Sequence, residues 1–201
     1  MSRTPTRPVA HAAHEVRIIG GRWKRSKLPV ADRPGLRPTP SRVRETLFNW
    51  LGQDLSGWRC LDAFAGTGAL GFEAASRGAV DVTLVEQDPA LCKSLQSTAQ
   101  RLKADEVRIE RGDGLSALRQ RAGRGLDLVF LDPPFEDGDN EALFRSALAA
   151  ARQAVPERGL VYLESPRHWS DDELAQIGLQ AQRRGKAGMV HFHLLMPLPP
   201  Q

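Results

Sequence analysis

Apolar runs of strand length alternate with segments of helical periodicity from about Trp58 onward. The strand-like runs are RCLDAFAG, DVTLVEQ, VRIERGD, DLVFLDPPF and GLVYLESP, and the helical segments are GALGFEAASRG, PALCKSLQSTAQRL, GLSALRQRAG and NEALFRSALAAARQA. Repeated strand-helix units of this kind specify a parallel sheet with helices on both faces. Nearly unbroken apolar strands are typical of strands that are buried on both sides. The pattern therefore predicts a doubly wound α/β domain over residues 58–201.

The C-terminal stretch LQAQRRGKAGMVHFHLLMP has a different pattern, with two strand-like runs around a glycine-containing turn. Short turns of this kind connect antiparallel strands. Added to the five preceding runs, the hairpin predicts a mostly parallel sheet of seven strands that ends in an antiparallel pair.

Ahead of this domain, EVRIIGGRWKRSKLPV contains two short strand-like pieces joined at Gly20 and Gly21. The pattern predicts a small hairpin with a basic second arm. The cations on that arm are Arg22, Lys24, Arg25 and Lys27.

The segment RPTPSRVRETLFNWL predicts a helix that begins near Thr39. Threonine is a favoured N-cap residue and proline is favoured at the first helical position, so we expect Thr39 as the cap and Pro40 at the first position. The apolar side of this helix is predicted to be formed by Val43, Leu47, Trp50 and Leu51. The polar positions Arg42, Arg44 and Glu45 are expected to face outward or toward a cleft.

The charge of the chain is distributed unevenly. Residues 1–50 hold eleven Lys and Arg against three Asp and Glu, a net +8, whereas the remaining residues hold 17 against 21, a net −4. A focused basic segment ahead of an acidic body is typical of nucleic-acid docking, because phosphates are neutralised by clustered cations. We therefore expect residues 15–57 to dock on nucleic acid and residues 1–14 to form a mobile leader.

Other features of the composition narrow the class of protein. No apolar run approaches the eighteen or so residues that span a membrane, and the N-terminus lacks the apolar core of a signal peptide, so we expect a cytoplasmic protein without membrane contact. Cys60 and Cys92 form no cluster with metal-ligand spacing, and His191 and His193 lack further ligands nearby. We expect reduced thiols, no metal and a monomer.

The first strand of the domain leads into the glycine-rich loop DAFAGTGALG. Glycines such as Gly66 and Gly68 let the backbone turn tightly, approach a ligand and begin a helix whose free N–H groups attract an anion. The loop is a literal GxGxxG, and Glu86 follows Gly66 by twenty residues, where an acid can hold ribose hydroxyls. A dinucleotide-dependent oxidoreductase is therefore one interpretation.

Two carboxylates favour a different cofactor. Asp62, four residues before Gly66, would repel a pyrophosphate but could reach the ammonium group of an amino acid, directly or through water. Asp113 ends the third strand, where it could accept a hydrogen bond from an adenine amino group. Acids at three successive strand ends fit S-adenosylmethionine better than a dinucleotide, although each acid alone could also be a helix cap or turn residue.

The fourth strand ends in FLDPPF, which points to the reaction. Proline keeps the residue before it extended, and neither Pro133 nor Pro134 has an N–H, so the segment presents acceptors without competing donors. The Asp132 carboxylate and the Pro133 carbonyl could accept both hydrogens of an amino group on an aromatic base, and Phe135 could stack on its ring. The segment is predicted to orient such an amine for methylation.

These motifs together resemble class I S-adenosylmethionine-dependent methyltransferases with a Rossmann-like fold, and among them the group that methylates amines through Asp/Asn-Pro-Pro-Tyr/Phe. The chain is most similar to the bacterial 16S ribosomal RNA guanine-N2 methyltransferase family. The similarity covers about residues 16–196, including RIIGGRWKRSKL, RPTPSRVRETLFNWL, LDAFAGTGALGFEAASRGA, LVEQDP, LVFLDPPF and RRGKAGMVHFHLL. The third-strand segment RGDGL departs from the family pattern, in which an Asn or a similar residue is expected near the Asp.

The resemblance implies a role for each matching residue. Asp62, Gly66, Gly68, Glu86 and Asp113 would line the cofactor pocket, and Asp132, Pro133, Pro134 and Phe135 would hold a guanine flipped out of the RNA. The substrate would be 16S ribosomal RNA in the small subunit or in an assembly intermediate. The expected RNA-binding residues are Arg22, Lys24, Arg25, Lys27, Arg42, Arg183 and Lys186.

Four alternatives remain open at this point. A DNA adenine-N6 or cytosine-N4 methyltransferase would use a similar loop, and a protein-glutamine methyltransferase would more often carry Asn in place of Asp132. A dinucleotide oxidoreductase explains only the glycine loop and Glu86. A noncatalytic RNA-binding module would explain the basic segment but not the acids at the strand ends.

Overall fold

The computed structural model of the chain describes residues 15–31, 38–134 and 140–199, so the predictions for residues 1–14 and for Phe135 lie outside the described residues. The strands are β1 (Glu15–Arg17), β2 (Lys27–Pro29), β3 (Arg59–Asp62), β4 (Asp81–Glu86), β5 (Val107–Arg111), β6 (Leu128–Leu131), β7 (Leu160–Ser165), β8 (Leu179–Ala187) and β9 (Val190–Pro197). The helices are α1 (Ser41–Trp50), α2 (Ala69–Ser76), α3 (Pro89–Leu102), α4 (Gly114–Gln120), α5 (Glu141–Ala154) and α6 (Asp171–Gln176).

Seven strands form one sheet in the order β5-β4-β3-β6-β7-β9-β8. Strands β3 to β7 pair in parallel, whereas β9 runs antiparallel to both β7 and β8. The predicted seven-stranded, mostly parallel sheet with an antiparallel C-terminal hairpin is thus confirmed. The chain moves outward from β3 to β5 and then returns to β6 on the other side of β3. Such a reversal opens a crevice at the carboxyl ends of the two central strands, where ligands bind in open α/β sheets.

Two apolar clusters cover the two faces of the sheet. One contains Leu47 of α1, Phe72 of α2 and Leu95 of α3. The other contains Leu118 of α4 and Leu148 of α5, with Leu174 of the short helix α6. Helices on both faces confirm the doubly wound prediction, and they bury all of β6 and all of β3 except Arg59.

The N-terminal hairpin differs in detail from the prediction. Its two strands have only three residues each, so Arg22, Lys24 and Arg25 lie in the turn, and Lys27 alone lies on the second strand. The backbone between the strands binds α2 instead of extending the ladder, because Ile19 and Gly20 donate to the Glu73 carboxylate at 2.9 and 2.8 Å. The hairpin is therefore attached to the central domain by hydrogen bonds to a helix.

Helix α1 also differs in two respects. Its N-cap is Pro40, without a side-chain cap, and not Thr39 as predicted. The Thr39 hydroxyl instead donates to Glu164 Oε1 at 2.7 Å, so it is not available to cap the helix. Arg44, predicted to face outward or toward a cleft, is buried, because its guanidinium pairs with Glu73 at 3.2 Å beneath the hairpin.

Among the described helices, none combines the length and the apolar character that crossing a membrane requires. Cys60 and Cys92 are both buried and free. Helix α6, which begins with a capping box between Ser170 and Glu173, was absent from the sequence prediction.

Candidate functional site

The glycine loop lies between the carboxyl end of β3 and the first turn of α2. Gly66 and Gly68 have positive φ angles of 52° and 75°, and Gly68 is the N-cap of α2. A Cβ atom at Gly68 would lie 2.7 Å from both Leu95 and Phe72 side-chain atoms. The loop therefore requires glycine for its backbone conformation and for its close packing against α3.

The carboxylate of Asp62 lies at the end of β3, beneath the glycine loop, and is buried. Its Oδ2 accepts a hydrogen bond from the Gly71 N–H at 3.1 Å, whereas its Oδ1 is buried without a partner in the described part of the chain. Burial is the main cause that raises the pKa of Asp62 to about 7, and the nearby charges of Glu86 and Glu164 raise it further. Asp62 Oδ1 is thus able to accept a hydrogen bond from a ligand or to pair with a ligand cation.

Glu86 ends the neighbouring strand β4 and supports the same loop. Its Oε2 accepts from the Gly66 N–H and its Oε1 from the Asp88 N–H, each at 2.9 Å. Both oxygens keep further lone pairs, and the side chain is half-buried at the edge of the crevice. Glu86 can therefore hold the loop and a ligand hydroxyl at once.

Asp113 follows β5 and is the N-cap of α4. Its Oδ2 accepts from the Ser116 N–H at 2.8 Å, and its Oδ1 has a long contact of 3.5 Å with the Gln87 amide. Hydrogen bonds from Ser116 are the main reason that the pKa of Asp113 lies below its usual value. This exposed carboxylate stays ionised and has one weakly engaged oxygen, as an acceptor for an amino group requires.

Asp132, the residue after β6, has a half-buried carboxylate. It forms no hydrogen bond with any of the described residues, although its pKa is raised well above the usual value, first by burial and then by the charges of Glu164 and Asp62. Pro133 is buried and Pro134 is exposed, and the Pro134 carbonyl accepts from the Asn140 amide at 3.3 Å. The strand exit thus presents a carboxylate that accepts no hydrogen bond from residues 15–31, 38–134 or 140–199.

Glu164 is an acid of this site that the sequence analysis missed. Strand β7 pairs with β6 so that Leu163 lies opposite Leu131, and the next residues of the two strands are Glu164 and Asp132. Glu164 is buried, and its Oε1 accepts from the hydroxyls of Thr39 at 2.7 Å and Tyr162 at 3.0 Å. An acid near the end of the fifth parallel strand is visible in GLVYLES and adds to the four acids predicted at the ends of the other parallel strands.

The structure brings the acids of β3, β6 and β7 together at the carboxyl edge of the sheet. Strand β6 pairs with β3 on one side and with β7 on the other, so Asp132 lies between Asp62 and Glu164 at this edge. No ion pair within the described ranges joins a cation to any of the three. The site therefore concentrates hydrogen-bond acceptors and negative charge beside a glycine loop.

The predicted basic residues fall into two groups. Arg22 pairs with Glu106, which precedes β5, and its backbone N–H donates to Ser76 at the end of α2 at 2.8 Å. The turn that also contains Lys24 and Arg25 therefore lies at the amino ends of the parallel strands, opposite the crevice. Lys27, on β2, pairs with Glu15 at 2.9 Å.

The second basic group lies nearer the crevice. Arg42 is exposed in the first turn of α1, which follows directly on Thr39 at the Glu164 carboxylate. Lys186 is exposed. In the sheet it lies opposite His191 of β9, and His191 lies opposite Ser165, the last residue of β7. Arg183 is exposed on the edge strand β8, farther from the strand ends. Only Arg42 and Lys186 are thus placed at the level of the acidic cluster.

Three histidines, His168, His191 and His193, lie close to one another. The His168 ring lies 6.2 Å from the His191 ring and 5.7 Å from the His193 ring, measured between centroids. Within residues 15–31, 38–134 and 140–199, no group of three or more His, Cys, Asp or Glu side chains is arranged to hold a metal ion.

Comparisons with known proteins agree with this arrangement. A family model described as conserved hypothetical protein 95 matches residues 16–196. The ribosomal RNA small subunit methyltransferase D of Escherichia coli is 42% identical over 173 residues, which cover 82% of this chain and 86% of that protein. A putative rRNA methyltransferase of Bacillus subtilis is 35% identical over 158 residues, covering 76% of this chain and 83% of that protein.

The fold has equally clear relatives among solved structures. A putative methyltransferase from Escherichia coli superimposes with a TM-score of 0.74 and 36% identity, covering 92% of this chain and 98% of that one. The Rossmann-like class I methyltransferase fold expected from the sequence is thereby confirmed.

Proposed function

Because the chain belongs to a family of small-subunit ribosomal RNA methyltransferases, we propose that it transfers a methyl group from S-adenosylmethionine to the exocyclic N2 amine of a guanine in 16S ribosomal RNA. The observation that carries the proposal is the acceptor-rich strand exit at Asp132 beside the glycine loop of β3. The strand exit suits an amine and the glycine loop suits a nucleoside cofactor. Both lie at the same edge of the sheet.

The residues around the glycine loop fit S-adenosylmethionine. The unpartnered, buried Oδ1 of Asp62 suits the ammonium of the methionine part, directly or through water, and Glu86 suits the ribose hydroxyls. Asp113 has a weakly engaged oxygen that suits the adenine amine. When bound, this cofactor supplies an electrophilic methyl group on a sulfonium sulfur.

At the strand exit, Asp132 and the Pro133 carbonyl are proposed to accept the two hydrogens of the base amine. The lone pair of such an amine is delocalised into the ring, so holding both hydrogens directs the lone pair away from the ring plane. Orientation at near-attack distance then provides most of the rate. The amine becomes acidic as its new bond forms, and Asp132 or water accepts the released proton.

Two observations favour this function over the alternatives. An oxidoreductase would leave the unpartnered Asp62 oxygen and the Asp132 strand exit without a role. A noncatalytic RNA-binding module would gain nothing from burying acids whose pKa values are raised. A DNA or protein acceptor uses the same chemistry, and only a measurement of the product separates it from RNA.

The test is methyl transfer from labelled S-adenosylmethionine to small ribosomal subunits that lack the modification, followed by nucleoside analysis. We expect N2-methylguanosine at one position of the 16S RNA. If cofactor binds but neither subunits nor free 16S RNA are labelled, the RNA substrate is wrong and DNA and protein acceptors are tested next. Another methylated nucleoside would show that the base or the position is wrong.

Cofactor binding is expected to release protons at neutral pH. Asp62 has a pKa raised to about 7, and an ammonium beside it favours the ionised form, so binding lowers that pKa. Affinity for S-adenosylhomocysteine, which keeps the ammonium, should fall as the pH drops below 7, approaching about tenfold per unit. Calorimetry in buffers of different ionisation enthalpy measures the released protons, and Asp62→Asn is the control that releases none. A binding enthalpy that is the same in all buffers would disprove the role of Asp62.

The basic residues near the crevice are expected to contact RNA phosphates. Replacing Arg42 and Lys186 with glutamine should weaken binding to small subunits about tenfold and reduce the slope of log affinity against log salt by about 2. The variant with Lys24 and Arg25 replaced by glutamine has the same charge change at the opposite edge. The variant of Arg42 and Lys186 is expected to raise KM without changing kcat. If neither variant changes the salt slope, the cations do not contact the RNA.

A further inference from the structure

We propose that Glu164 reads the ring N1–H of the target base and thereby makes the site select guanine over adenine. This inference rests on the proposed function and adds the residue that chooses the base. The Asp-Pro-Pro strand exit cannot make that choice alone, because every amine-bearing base offers it the same two hydrogens.

The position of Glu164 suits this role. It is the second-to-last residue of β7, and Asp132 is the residue directly after the neighbouring strand β6, so the two carboxylates lie at neighbouring points of the same edge. Its Oε1 is held by the hydroxyls of Thr39 and Tyr162, and these two donors fix the plane of the carboxylate. Its Oε2 accepts no hydrogen bond from the described residues. One oxygen is thus anchored while the other remains to receive a donor.

The Watson–Crick edge of guanine supplies the matching donors. Guanine presents an N1–H and the two hydrogens of its N2 amine, whereas the N1 of adenine is an acceptor without a hydrogen. The Asp132 carboxylate and the Pro133 carbonyl accept hydrogen bonds from the two amine hydrogens, and Glu164 Oε2 accepts one from the N1–H. An adenine in the same place would direct its N1 lone pair at a buried carboxylate, which is unfavourable. Flipped bases are read through hydrogen bonds to this edge.

The electrostatics of the free protein support the same assignment. Burial raises the pKa of Glu164, and the hydrogen bonds from Thr39 and Tyr162 oppose that shift. The groups that face this carboxylate are Asp132 from β6, Tyr162 from its own strand and Thr39 from the segment before α1, and Asp62 acts on Asp132 from β3. None of them is a cation. Hydrogen-bond donors from a guanine edge would relieve the repulsion between Asp132 and Glu164 and favour their ionised forms.

The test uses small subunits reconstituted with 16S RNA that carries either guanine or 2-aminopurine at the methylated position. The 2-aminopurine base keeps the reactive amine but lacks the N1–H. The unaltered protein should prefer guanine by about tenfold or more in kcat/KM and in affinity. In Glu164→Gln the amide carbonyl still accepts from Thr39 and Tyr162, while the amide N–H can donate to N1 of 2-aminopurine. This variant should therefore prefer 2-aminopurine.

Tyr162→Phe is the matched control, since it removes one donor to Oε1 but leaves Oε2. It should lower the rates for both bases by the same factor and keep their ratio. The inference is overturned if the unaltered protein methylates 2-aminopurine as well as guanine, a result that needs no variant. It is also overturned if Glu164→Gln lowers both rates and leaves the preference for guanine unchanged. Absence of N2-methylguanosine with guanine-containing subunits would instead disprove the proposed function itself.

Discussion

Replacing Asp132 with alanine is expected to abolish methyl transfer, by about three orders of magnitude, while cofactor affinity changes less than about threefold. The carboxylate is the acceptor at the strand exit that the protein leaves without a hydrogen bond among the described residues, and it lies beyond β6, not in the glycine loop. Rates are measured with saturating small subunits, and S-adenosylhomocysteine binding is measured by calorimetry.

Asp132→Asn is the informative companion of the alanine variant. Asparagine keeps one acceptor oxygen but adds an amide N–H that faces the hydrogens of the substrate amine, so we expect activity close to that of alanine. A loss of cofactor affinity as large as the loss of rate would show that Asp132 belongs to the cofactor pocket. Full activity of either variant would show that Asp132 is not needed for methyl transfer.

The Asp132→Asn variant is also expected to be more stable than the unaltered protein, by an amount that depends on pH. The folded protein raises the pKa of Asp132 above its unfolded value, mainly by burial, so the ionised carboxylate destabilises the fold. That cost is fully present above the folded pKa and disappears as the pH falls below the unfolded pKa. Asp132→Asn should therefore unfold at a higher temperature than the unaltered protein at pH 8, and the difference should shrink toward pH 4. A constant difference across this range would contradict the assigned pKa shift.

The sequence predicted the fold well because its signals are local. Strands β3, β4, β6 and β7 are largely apolar because both of their faces are covered, and this pattern separates them from the helical segments between them. Helix α6 was missed because it has six residues and buries only Leu174, which is too little to produce a helical periodicity. The strands of the N-terminal hairpin are shorter than predicted, because the backbone N–H groups of Ile19 and Gly20 donate to Glu73 instead of to a partner strand.

The site was predictable where strand ends alone determine it. Asp62, Glu86 and Asp132 end parallel strands, and the carboxyl ends of such strands share an edge. The environment of Glu164 was not predictable, because the hydroxyl that holds it comes from Thr39, 125 residues earlier in the chain. The burial of Arg44 was hidden for the same reason, since its partner Glu73 lies on another helix. Contacts between distant segments leave no periodic signal in either segment.

Replacing Glu73 with alanine is expected to destabilise the protein by about 3–5 kcal/mol, the largest effect on stability that we anticipate. The Glu73 side chain is fully buried in α2, where it accepts from the Arg44 guanidinium at 3.2 Å and from Arg77 at 2.9 Å. It also accepts from the Ile19 and Gly20 N–H groups. Removing this carboxylate leaves the charges of Arg44 and Arg77 uncompensated and leaves two backbone N–H groups without their acceptor.

The measurement is unfolding by denaturant, with Glu110→Ala as the control. Glu110 pairs with Arg121 at 2.5 Å on a side chain that is 45% exposed, so removing it deletes the same residue type from a solvated pair. Such pairs contribute about 1 kcal/mol or less. A loss of stability in Glu73→Ala no greater than in Glu110→Ala would show that the buried network does not stabilise the hairpin on the domain.

Glu73→Gln separates charge from hydrogen bonding in this network. Glutamine keeps an oxygen for the backbone N–H groups of the hairpin but leaves the charges of Arg44 and Arg77 uncompensated, so we expect most of the alanine effect to remain. Arg44 also donates to the Thr39 carbonyl at 3.2 Å and to the Arg17 carbonyl at 3.0 Å, and thereby joins the hairpin to the segment that holds Glu164. Both variants should consequently lose methyl transfer at temperatures where they are still folded. Unchanged kcat in a folded Glu73→Gln protein would show that the hairpin and the site are not coupled through Arg44.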